Sequence, residues 1–456
     1  MNERLDILVL HAIPDLSRER RTSIRHLFAL QRYSRNHRFV YHCQEDPITD
    51  ALRSIPFAAI ILDCTFLCWR WVRPREAFTA LRRRYDEWLG NCGAVVAAFP
   101  QDDFDHAEIL DDWLSGLGTN LLFSVYRHHW DALYPRLIAS GTKIVASYPG
   151  YVDDDEVGEY RALRKPFRER TIDVGYRVKR LPANFGRFGV LKSEFGRAFA
   201  RAAAGRARCD ISDAPKDTIY GDEWLGFLGN SRFTLASLAG SSVFDPNGAV
   251  QDRVQAFASK HPTADFEESW RACVRPEDEG WTFPAVSPRI FETAMAGSCP
   301  ILLEGDYEGL IAPEEHYIPV KRDFSDIDSA VDRLADLGAA EAMAARFERT
   351  ILENPNLRYR HWVQSVIEPM LTERASMGHA PLTDGEFGLR VEQHRSAVAR
   401  AKIEPIAAAN TRLETLLEEA NARLREANGG TSAVAARALL RLIGARVRAK
   451  LPSRRR

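Results

Sequence analysis

Short apolar runs alternate with helical patterns through the first 150 residues. Between the runs, segments such as Arg75–Leu89 and Ala107–Leu117 repeat their apolar residues at spacings of three and four, which is the period of an amphipathic helix. Runs of four to six apolar residues separated by such helices are typical of parallel strands buried on both faces. We predict strands at Asp6–Leu10, Arg38–His42, Ala58–Leu62, Ala94–Phe99, Leu121–Val125 and Lys143–Ser147.

The composition changes near residue 155. The acidic stretch Tyr151–Gly158 is followed by the basic stretch Arg161–Arg170, and we interpret this shift as a domain boundary. A second α/β pattern follows, with helices predicted at Pro288–Ala296 and Ile327–Leu337. We predict its strands at Thr171–Val178, Phe233–Ala236, Ser241–Phe244, Cys299–Leu303 and Tyr317–Val320. The predicted fold is therefore α/β with two Rossmann-like domains, residues 1–155 and 156–375.

The last segment, residues 376–456, has a different pattern. Its apolar residues recur at spacings of three, four and seven, and Asn410 occupies a seam position, which is typical of a coiled-coil-like helix. The seam residues are Ile406, Leu413, Leu417, Ala420 and Leu424. The segment Val434–Leu451 is basic and amphipathic and precedes Arg454–Arg456. We predict a helical extension for homo-oligomer formation and a tail that either contacts an anionic membrane surface or is a solvated tail.

Composition limits the remaining possibilities. A chain of 456 residues is too long for one hydrophobic core, and its formal net charge of −1 argues against a nucleic-acid-binding role. The chain begins without the pattern of a signal peptide and contains no long apolar run, so we expect a cytoplasmic protein. The seven cysteines lie mostly in apolar runs, and no second ligand pair accompanies Cys64 and Cys68 to complete a zinc site.

The strongest chemical signal is the segment Ser287–Leu303, SPRIFETAMAGSCPILL. A helix should begin near Pro288, where backbone N–H groups without a partner and the helix dipole favour an anion. Ser287 and Arg289 add donors there, and Glu292 lies one turn further along the same face. This pattern predicts a diphosphate site with a carboxylate for ribose hydroxyls. The alternative is an ion pair between Arg289 and Glu292 with no ligand.

This segment resembles the donor-site motif of glycosyltransferases of the GT-B fold, in which a Glu in a phrase like E-A-M-A-x-G precedes a Pro and a strand. Gly297 and Pro300 have the spacing of the exostosin-like and fucosyltransferase-like branches. The resemblance covers residues 171–370 and implies that Glu292 binds the ribose of a nucleotide-sugar donor. Retaining members usually carry another Glu eight residues upstream. Here that position is Pro284, which favours an inverting mechanism.

A basic segment, Gly175–Lys192, follows the first predicted strand of the second domain. In GT-B enzymes a basic pair after this strand neutralises the donor phosphates, and fixed cations stabilise the charge of the leaving group. The resemblance therefore implies that donor phosphates are bound here. The candidates are Arg177, Arg187 and Lys192.

A third candidate phosphate site is the segment Gly240–Gly248, GSSVFDPNG. The hydroxyl groups of Ser241 and Ser242 and the nearby backbone N–H groups could reach a phosphate. The alternative is a plain surface β-turn.

The first domain should bind the acceptor and supply a catalytic base. His11 follows the first predicted strand, and Asp102, Asp103 and Asp105 follow the fourth, with Asp103 the chosen carboxylate. The alternatives are a satisfied loop histidine and a solvated or helix-capping acidic loop. Asp103-Phe104-Asp105 also has the D-x-D form of metal-dependent GT-A transferases. We expect no cofactor and no divalent metal, because the donor motif lies in a separate domain.

These features predict a glycosyltransferase that moves a sugar from a nucleotide-sugar to a glycan or lipid-linked acceptor, as in surface polysaccharide synthesis. One alternative is a nucleotide-sugar epimerase or hydrolase with the same architecture. Another is a non-catalytic assembly factor that uses its helical extension to bind partners. Replacement of Glu292 by Ala should abolish transfer in an enzyme and have no effect on a scaffold.

Overall fold

The computed structural model describes residues 4–90, 92–375 and 381–426. The chain divides into two compact units. The first comprises Met1–Glu45 and Pro56–Pro381 and contains all the strands of the described residues. The second comprises Asp46–Ile55 and Leu382–Arg456.

A six-stranded parallel sheet forms from the first 150 residues. Its strands are β1 Asp6–His11, β2 Arg38–Cys43, β3 Ala59–Leu62, β4 Val95–Ala98, β5 Leu121–Ser124 and β6 Lys143–Ala146. The order is β2-β1-β3-β4-β5-β6, and all neighbours pair in parallel. All six predicted strands are confirmed. The order reverses between β1 and β3, which opens a crevice at the carboxyl ends of these strands.

A second parallel sheet, of five strands, forms from residues 172–320. The strands of this half are β7 Ile172–Arg177, β8 Cys209–Ser212, β9 Ser231–Ala236, β10 Ala239–Ser241, β11 Phe283–Ala285, β12 Cys299–Leu303 and β13 Ile318–Val320. The sheet order is β13-β12-β9-β7-β8, while β10 and β11 form a separate antiparallel pair. The strand predicted at Ser241–Phe244 is wrong, because β10 ends at Ser241. The order reverses between β7 and β9, so this sheet also has a crevice.

Helices connect the strands of both sheets. They are α1 Arg21–Tyr33, α2 Asp50–Arg53, α3 Cys64–Leu67, α4 Arg75–Leu89, α5 Ala107–Gly116, α6 Trp130–Leu133, α7 Pro135–Ala139, α8 Asp154–Leu163, α9 Gly186–Ala202, α10 Gly221–Gly229, α11 Ala249–Lys260, α12 Phe266–Cys273, α13 Arg289–Ala296, α14 Ile327–Asp332, α15 Leu337–Leu352, α16 Tyr359–Ala375 and α17 Asp384–Glu426. The two sheets confirm the predicted α/β fold with two Rossmann-like halves, the arrangement expected of GT-B enzymes. Helix α17 confirms a helical extension.

The last helix of the first unit packs on the first sheet. Trp362 and Val366 of α16 belong to the same apolar core as β1, β3 and α1, and both side chains are buried. Residues 359–375 were assigned to the second domain from the sequence, yet their apolar face completes the first core. The chain therefore crosses back to its first half before it leaves this unit.

The second unit contains α2 and α17. Thr49 Oγ1 lies 3.0 Å from His394 Nδ1, and Lys402 Nζ lies 2.7 Å from Asp46 Oδ1. The predicted coiled-coil seam lies partly on α17, and its pairing stays a prediction. The basic tail Val434–Leu451 and Arg454–Arg456 lies outside the described residues. Within the described ranges, no helix combines the length and apolar character needed to span a bilayer.

Candidate functional site

A cavity of about 1000 Å³ lies between the carboxyl ends of the two sheets of the first unit. From the first sheet it is lined by Asp63, directly after β3, and by Asp102, after β4. From the second sheet it is lined by Arg177, the last residue of β7, and by Ser237, directly after β9. Because both sheets reverse their strand order here, the crevices of the two halves face one shared space.

Helix α13 begins at this cavity, but its backbone donors are already used. The N–H of Arg289 donates to Ser287 Oγ at 3.3 Å, and the N–H of Ile290 donates to the Ser287 carbonyl at 3.0 Å. The N–H groups of the next two residues donate to the Pro288 carbonyl. The predicted array of backbone N–H groups without a partner is therefore wrong. Ser287 shapes this helix end, and an anion would depend mainly on side chains.

Arg289 and Glu292 lie together on the cavity wall. Arg289 Nε is 3.1 Å from Glu292 Oε2, and the guanidinium lies 4.2 Å from the centre of the Trp224 ring. Thr22 Oγ1, from the start of α1, donates to Glu292 Oε1 at 2.9 Å. The ion pair expected under the alternative interpretation is therefore present, and both of its residues line the cavity.

Lys192, on α9, also lines the cavity. Within the part of the chain that the structure describes, its ammonium forms no hydrogen bond or ion pair. Burial lowers the pKa of Lys192, and the nearby charges of Arg20, Lys179 and Arg289 lower it further, while Asp102 acts in the opposite direction. These four cations, Arg20, Lys179, Lys192 and Arg289, form what we call the cation cluster. Such a concentration of like charges favours the binding of an anion.

The other two predicted cations are differently placed. Arg177 lines the cavity, but its guanidinium is held by Asp210 Oδ1 at 2.7 Å and by the Asp217 carbonyl at 3.0 Å. Arg187 does not line the cavity: its guanidinium lies 3.0 Å from Glu267 Oε2 and 4.0 Å from the centre of the Trp270 ring. The structure therefore brings Lys192 and Arg177 to the cavity and Arg187 to another surface.

Ser241 and Ser242 do not reach the cavity. Ser241 Oγ donates to the Phe185 carbonyl at 3.1 Å, and Ser242 Oγ accepts the Phe188 N–H at 3.0 Å. The turn that follows the two serines contacts the first half of the unit: the Asp245 carbonyl accepts a hydrogen bond from the N–H of His106 at 2.7 Å. The two serines therefore support the start of α9, and the turn after them joins the two halves, so neither forms a phosphate loop at the cavity.

The two predicted catalytic residues are both buried behind the cavity wall. His11 accepts the Ile13 N–H at its Nδ1, 3.2 Å away. Asp103 is fully buried, accepts hydrogen bonds from Ser124 Oγ at 2.7 Å and from the Tyr134 hydroxyl, and has its pKa raised to about 6 by that burial. Neither residue lines the cavity.

Asp102 is the carboxylate of this loop that reaches the cavity. Its backbone has a φ of 50°, a left-handed conformation that non-glycine residues seldom adopt. The buried guanidinium of Arg70 holds that conformation by donating to the carbonyls of Gln101 and Asp102, both at 2.9 Å. Burial raises the pKa of Asp102, and the nearby charges of Lys192 and Arg70 act in the opposite direction. The sequence predicts Asp103 from this loop, whereas the aspartate that faces the cavity is Asp102.

No group of three or more metal-binding side chains occurs among the residues described, and Asp103 and Asp105 do not form one. No protein-family model matches the chain, and no curated protein sequence matches it.

Several solved structures are similar in shape at low sequence identity. The Anabaena protein HepE, solved in complex with UDP and glucose, is 7% identical, with 81% of this chain and 99% of that chain covered and a TM-score of 0.43. Sucrose-phosphate synthase from Thermosynechococcus elongatus is 11% identical, with coverages of 82% and 100% and a TM-score of 0.42. A glycosyltransferase from Rickettsia africae is 9% identical, with coverages of 82% and 99% and a TM-score of 0.39.

Proposed function

We propose that this protein is a glycosyltransferase that binds a nucleotide-sugar in the cavity between its two sheets and transfers the sugar to a hydroxyl group. The cation cluster is the observation that carries the proposal. Lys192 has its pKa lowered by burial and by like charges, so the folded protein carries an electrostatic cost that a bound anion would relieve. A diphosphate would balance the cations that the single charge of Asp102 leaves uncompensated.

The remaining contacts to the nucleotide-sugar would come from residues that line the same cavity. Lys192, Lys179 and Arg20 would surround the phosphates, and Arg289 would contribute from the start of α13. Glu292 would accept the ribose hydroxyls, as its resemblance to the GT-B motif implies, after exchange of the Thr22 hydroxyl. Arg177 would act mainly by fixing the end of β7 beside the donor.

The catalytic base in this proposal is Asp102. A carboxylate with a raised pKa is a better proton acceptor than an ordinary aspartate at neutral pH. Asp102 takes the proton of the acceptor hydroxyl, the oxygen attacks the anomeric carbon, and the bond from that carbon to the phosphate oxygen breaks. The nucleoside diphosphate leaves with the electron pair, and the cation cluster stabilises its charge. This direct displacement inverts the anomeric centre, in accord with Pro284 at the position where retaining enzymes carry Glu.

The type of sugar, the acceptor and the biological setting are also part of the proposal. A hexose is the expected sugar, a glycan or a lipid-linked sugar is the expected acceptor, and surface polysaccharide synthesis is a setting that fits both. The residues beyond 426 would supply peripheral contact with the inner face of a membrane. No cofactor or divalent metal is required, because side-chain cations replace the metal in neutralising the diphosphate.

The test combines nucleotide binding with transfer. Calorimetric titration with UDP, GDP, CDP and dTDP should identify one that binds, and its sugar conjugates should then be turned over in the presence of acceptor sugars. Asp102→Asn should abolish transfer while the nucleotide still binds, because the base does not contact the phosphates. Asp131→Asn, at an exposed position outside the cavity, is the matched control. Failure of every nucleotide to bind would refute the proposal.

A further inference from the structure

The loop between β4 and α5, residues 99–106, carries Asp102 and has an unusual backbone at two positions; we call it the base loop. Asp102 has a φ of 50° and His106 a φ of 58°, so two residues other than glycine are left-handed in one short loop. Arg70 holds the first of them by donating to the Asp102 carbonyl at 2.9 Å. Such backbone strain persists only where the surrounding structure enforces it, and it is concentrated at functional sites. The second strained position, His106, must therefore also be held by its surroundings.

His106 is held by the turn 245–248, which belongs to the second half of the unit. Its N–H donates to the Asp245 carbonyl at 2.7 Å, and the Asp245 N–H donates to the Phe104 carbonyl at 3.1 Å. The imidazole is fully buried and lies directly against Gly248, where a Cβ would be only 2.0 Å from His106 Nε2. The turn therefore packs closely against the imidazole, and a larger residue in place of Gly248 would have to displace it.

Both ring nitrogens of His106 also have partners. Nδ1 lies 2.6 Å from Asp105 Oδ1, and Nε2 lies 3.1 Å from a guanidinium nitrogen of Arg73. Because a guanidinium can only donate, Nε2 accepts, and Nδ1 carries the proton that is donated to Asp105. Arg73 Nε in turn donates to Asp252 Oδ1, on α11 of the second half, at 2.7 Å. His106 therefore links the base loop to the second half through its side chain as well as through its backbone.

The base loop is also joined to the start of α9, the helix that carries Lys192. Ser242, shortly before the turn 245–248, accepts the N–H of Phe188 at its Oγ, 3.0 Å away, and Phe188 lies one turn before Lys192. The ring centres of Phe104, in the base loop, and Phe185, at the start of α9, lie 5.7 Å apart. The position of the base loop relative to α9 is therefore fixed by packed and hydrogen-bonded residues.

We propose that His106 is a positioning residue, which together with the turn 245–248 fixes the base Asp102 relative to Lys192 and so relative to the donor phosphates. The inference rests on the proposed function and adds the element that aligns its base. His106 itself does not line the cavity, so its effect on the reaction passes through the base loop. Displacing a catalytic group by about 1 Å can cost about 100-fold in rate. A change at this contact should therefore lower kcat and leave nucleotide affinity intact.

Gly248→Ala tests this role, because the added methyl group would meet the imidazole and displace the base loop. Gly280→Ala is the matched control: Gly248 has a φ of 79° and Gly280 a φ of 87°, but a Cβ at Gly280 would have no described residue within 4 Å apart from its chain neighbours. Gly248→Ala should lower kcat for the release of UDP from UDP-glucose by about tenfold or more. Its UDP affinity in calorimetry should stay within a factor of about two. Gly280→Ala should change neither quantity.

His106→Asn tests the same contact from the other side. Asn tolerates the left-handed conformation, and its amide can replace Nδ1 as the donor to Asp105, but the link to Arg73 is lost. We expect this variant to lower kcat as well, also where Gly248→Ala fails to fold. The shorter side chain leaves room for a methyl group, so the double variant should be no slower than Gly248→Ala alone. Thermal unfolding of all variants separates losses of stability from losses of rate.

Three results would overturn the inference: an unchanged kcat in the folded variants, losses of kcat that simply multiply in the double variant, or a loss of UDP affinity as large as the loss of kcat. The last would assign the contact to donor binding. If UDP-glucose is not turned over, sugar conjugates of GDP, CDP and dTDP take its place. Absence of turnover with all of them, or full activity of Asp102→Asn, would refute the proposed function itself, and the inference would fall with it.

Discussion

Replacement of Lys192 by Met should separate ligand binding from stability. The change keeps an unbranched apolar stem and removes the ammonium from the cation cluster. A contact between a charged group and its partner is worth about 1.5–3 kcal/mol, so UDP should bind about 10- to 100-fold more weakly. Uridine has no phosphate, and its affinity should stay within a factor of about two. Lys260→Met, at an exposed position on α11 outside the cavity, is the matched control.

In contrast to its affinity for UDP, the stability of the Lys192→Met variant without nucleotide should not fall. The pKa of Lys192 in the folded protein is lowered from its ordinary value of 10.5, so its protonated form is less favourable in the folded state than in the unfolded chain. At neutral pH the charged Lys192 lowers the free energy of unfolding. This loss disappears as the pH rises towards 10.5, because Lys192 is then uncharged in the folded protein. Lys192→Met should therefore have an equal or higher melting temperature without nucleotide. Calorimetric titration and thermal unfolding measure the two effects. Unchanged UDP affinity, or an equal loss for uridine, would refute the assignment of Lys192 to the phosphates.

Three further predictions concern the ribose contact, the backbone and pH. Glu292→Ala should weaken UDP and uridine alike, by about tenfold in calorimetry, because a lost ribose contact affects both ligands. A larger loss of affinity for one of the two ligands would contradict a ribose contact of Glu292. Gly240→Ala should lower the free energy of unfolding by more than about 2 kcal/mol in denaturant titration, because Gly240 has a φ of 126° and a Cβ would lie 1.8 Å from the Phe283 carbonyl oxygen. A smaller loss would indicate that this turn relaxes. Because the pKa of His26 falls from 6.5 to about 4 on folding, stability should fall by about 3 kcal/mol between pH 6.5 and 4, and His26→Asn should reduce that dependence on pH in denaturant titrations. An unchanged pH dependence would contradict burial of a neutral His26.

The strands that could be predicted are those with strong apolar patterns. The strands β1, β3, β4 and β5 of the first sheet are short apolar runs that are buried throughout, so their pattern is unambiguous. The strand β8, Cys209–Ser212, was not predicted, because it is an edge strand of four half-buried residues with two polar side chains. The packing of α16 on the first sheet was also missed. A helical pattern shows which face is apolar but not which of two cores receives it.

The candidate site was predicted where the motif fixes local geometry. Arg289 and Glu292 are three residues apart on one helix, so their meeting follows from the helical period. Arg187 and Lys192 are five apart on α9, a rotation of about 140° between their directions, so only one of them can face the cavity. The choice between Asp102 and Asp103 depends on a left-handed backbone that is held by Arg70, more than thirty residues earlier in the chain. Such a long-range contact leaves no local pattern in the sequence.

A crystal structure with UDP bound would show whether the cavity is the donor site. Phosphate oxygens should lie within about 3 Å of Lys192 Nζ and of the Arg289 guanidinium, the usual length of a charge-assisted hydrogen bond. A ribose hydroxyl should replace Thr22 as the partner of Glu292. A diphosphate bound outside this cavity, with no ligand at Lys192 and the contact between Thr22 and Glu292 intact, would show that the donor site lies elsewhere.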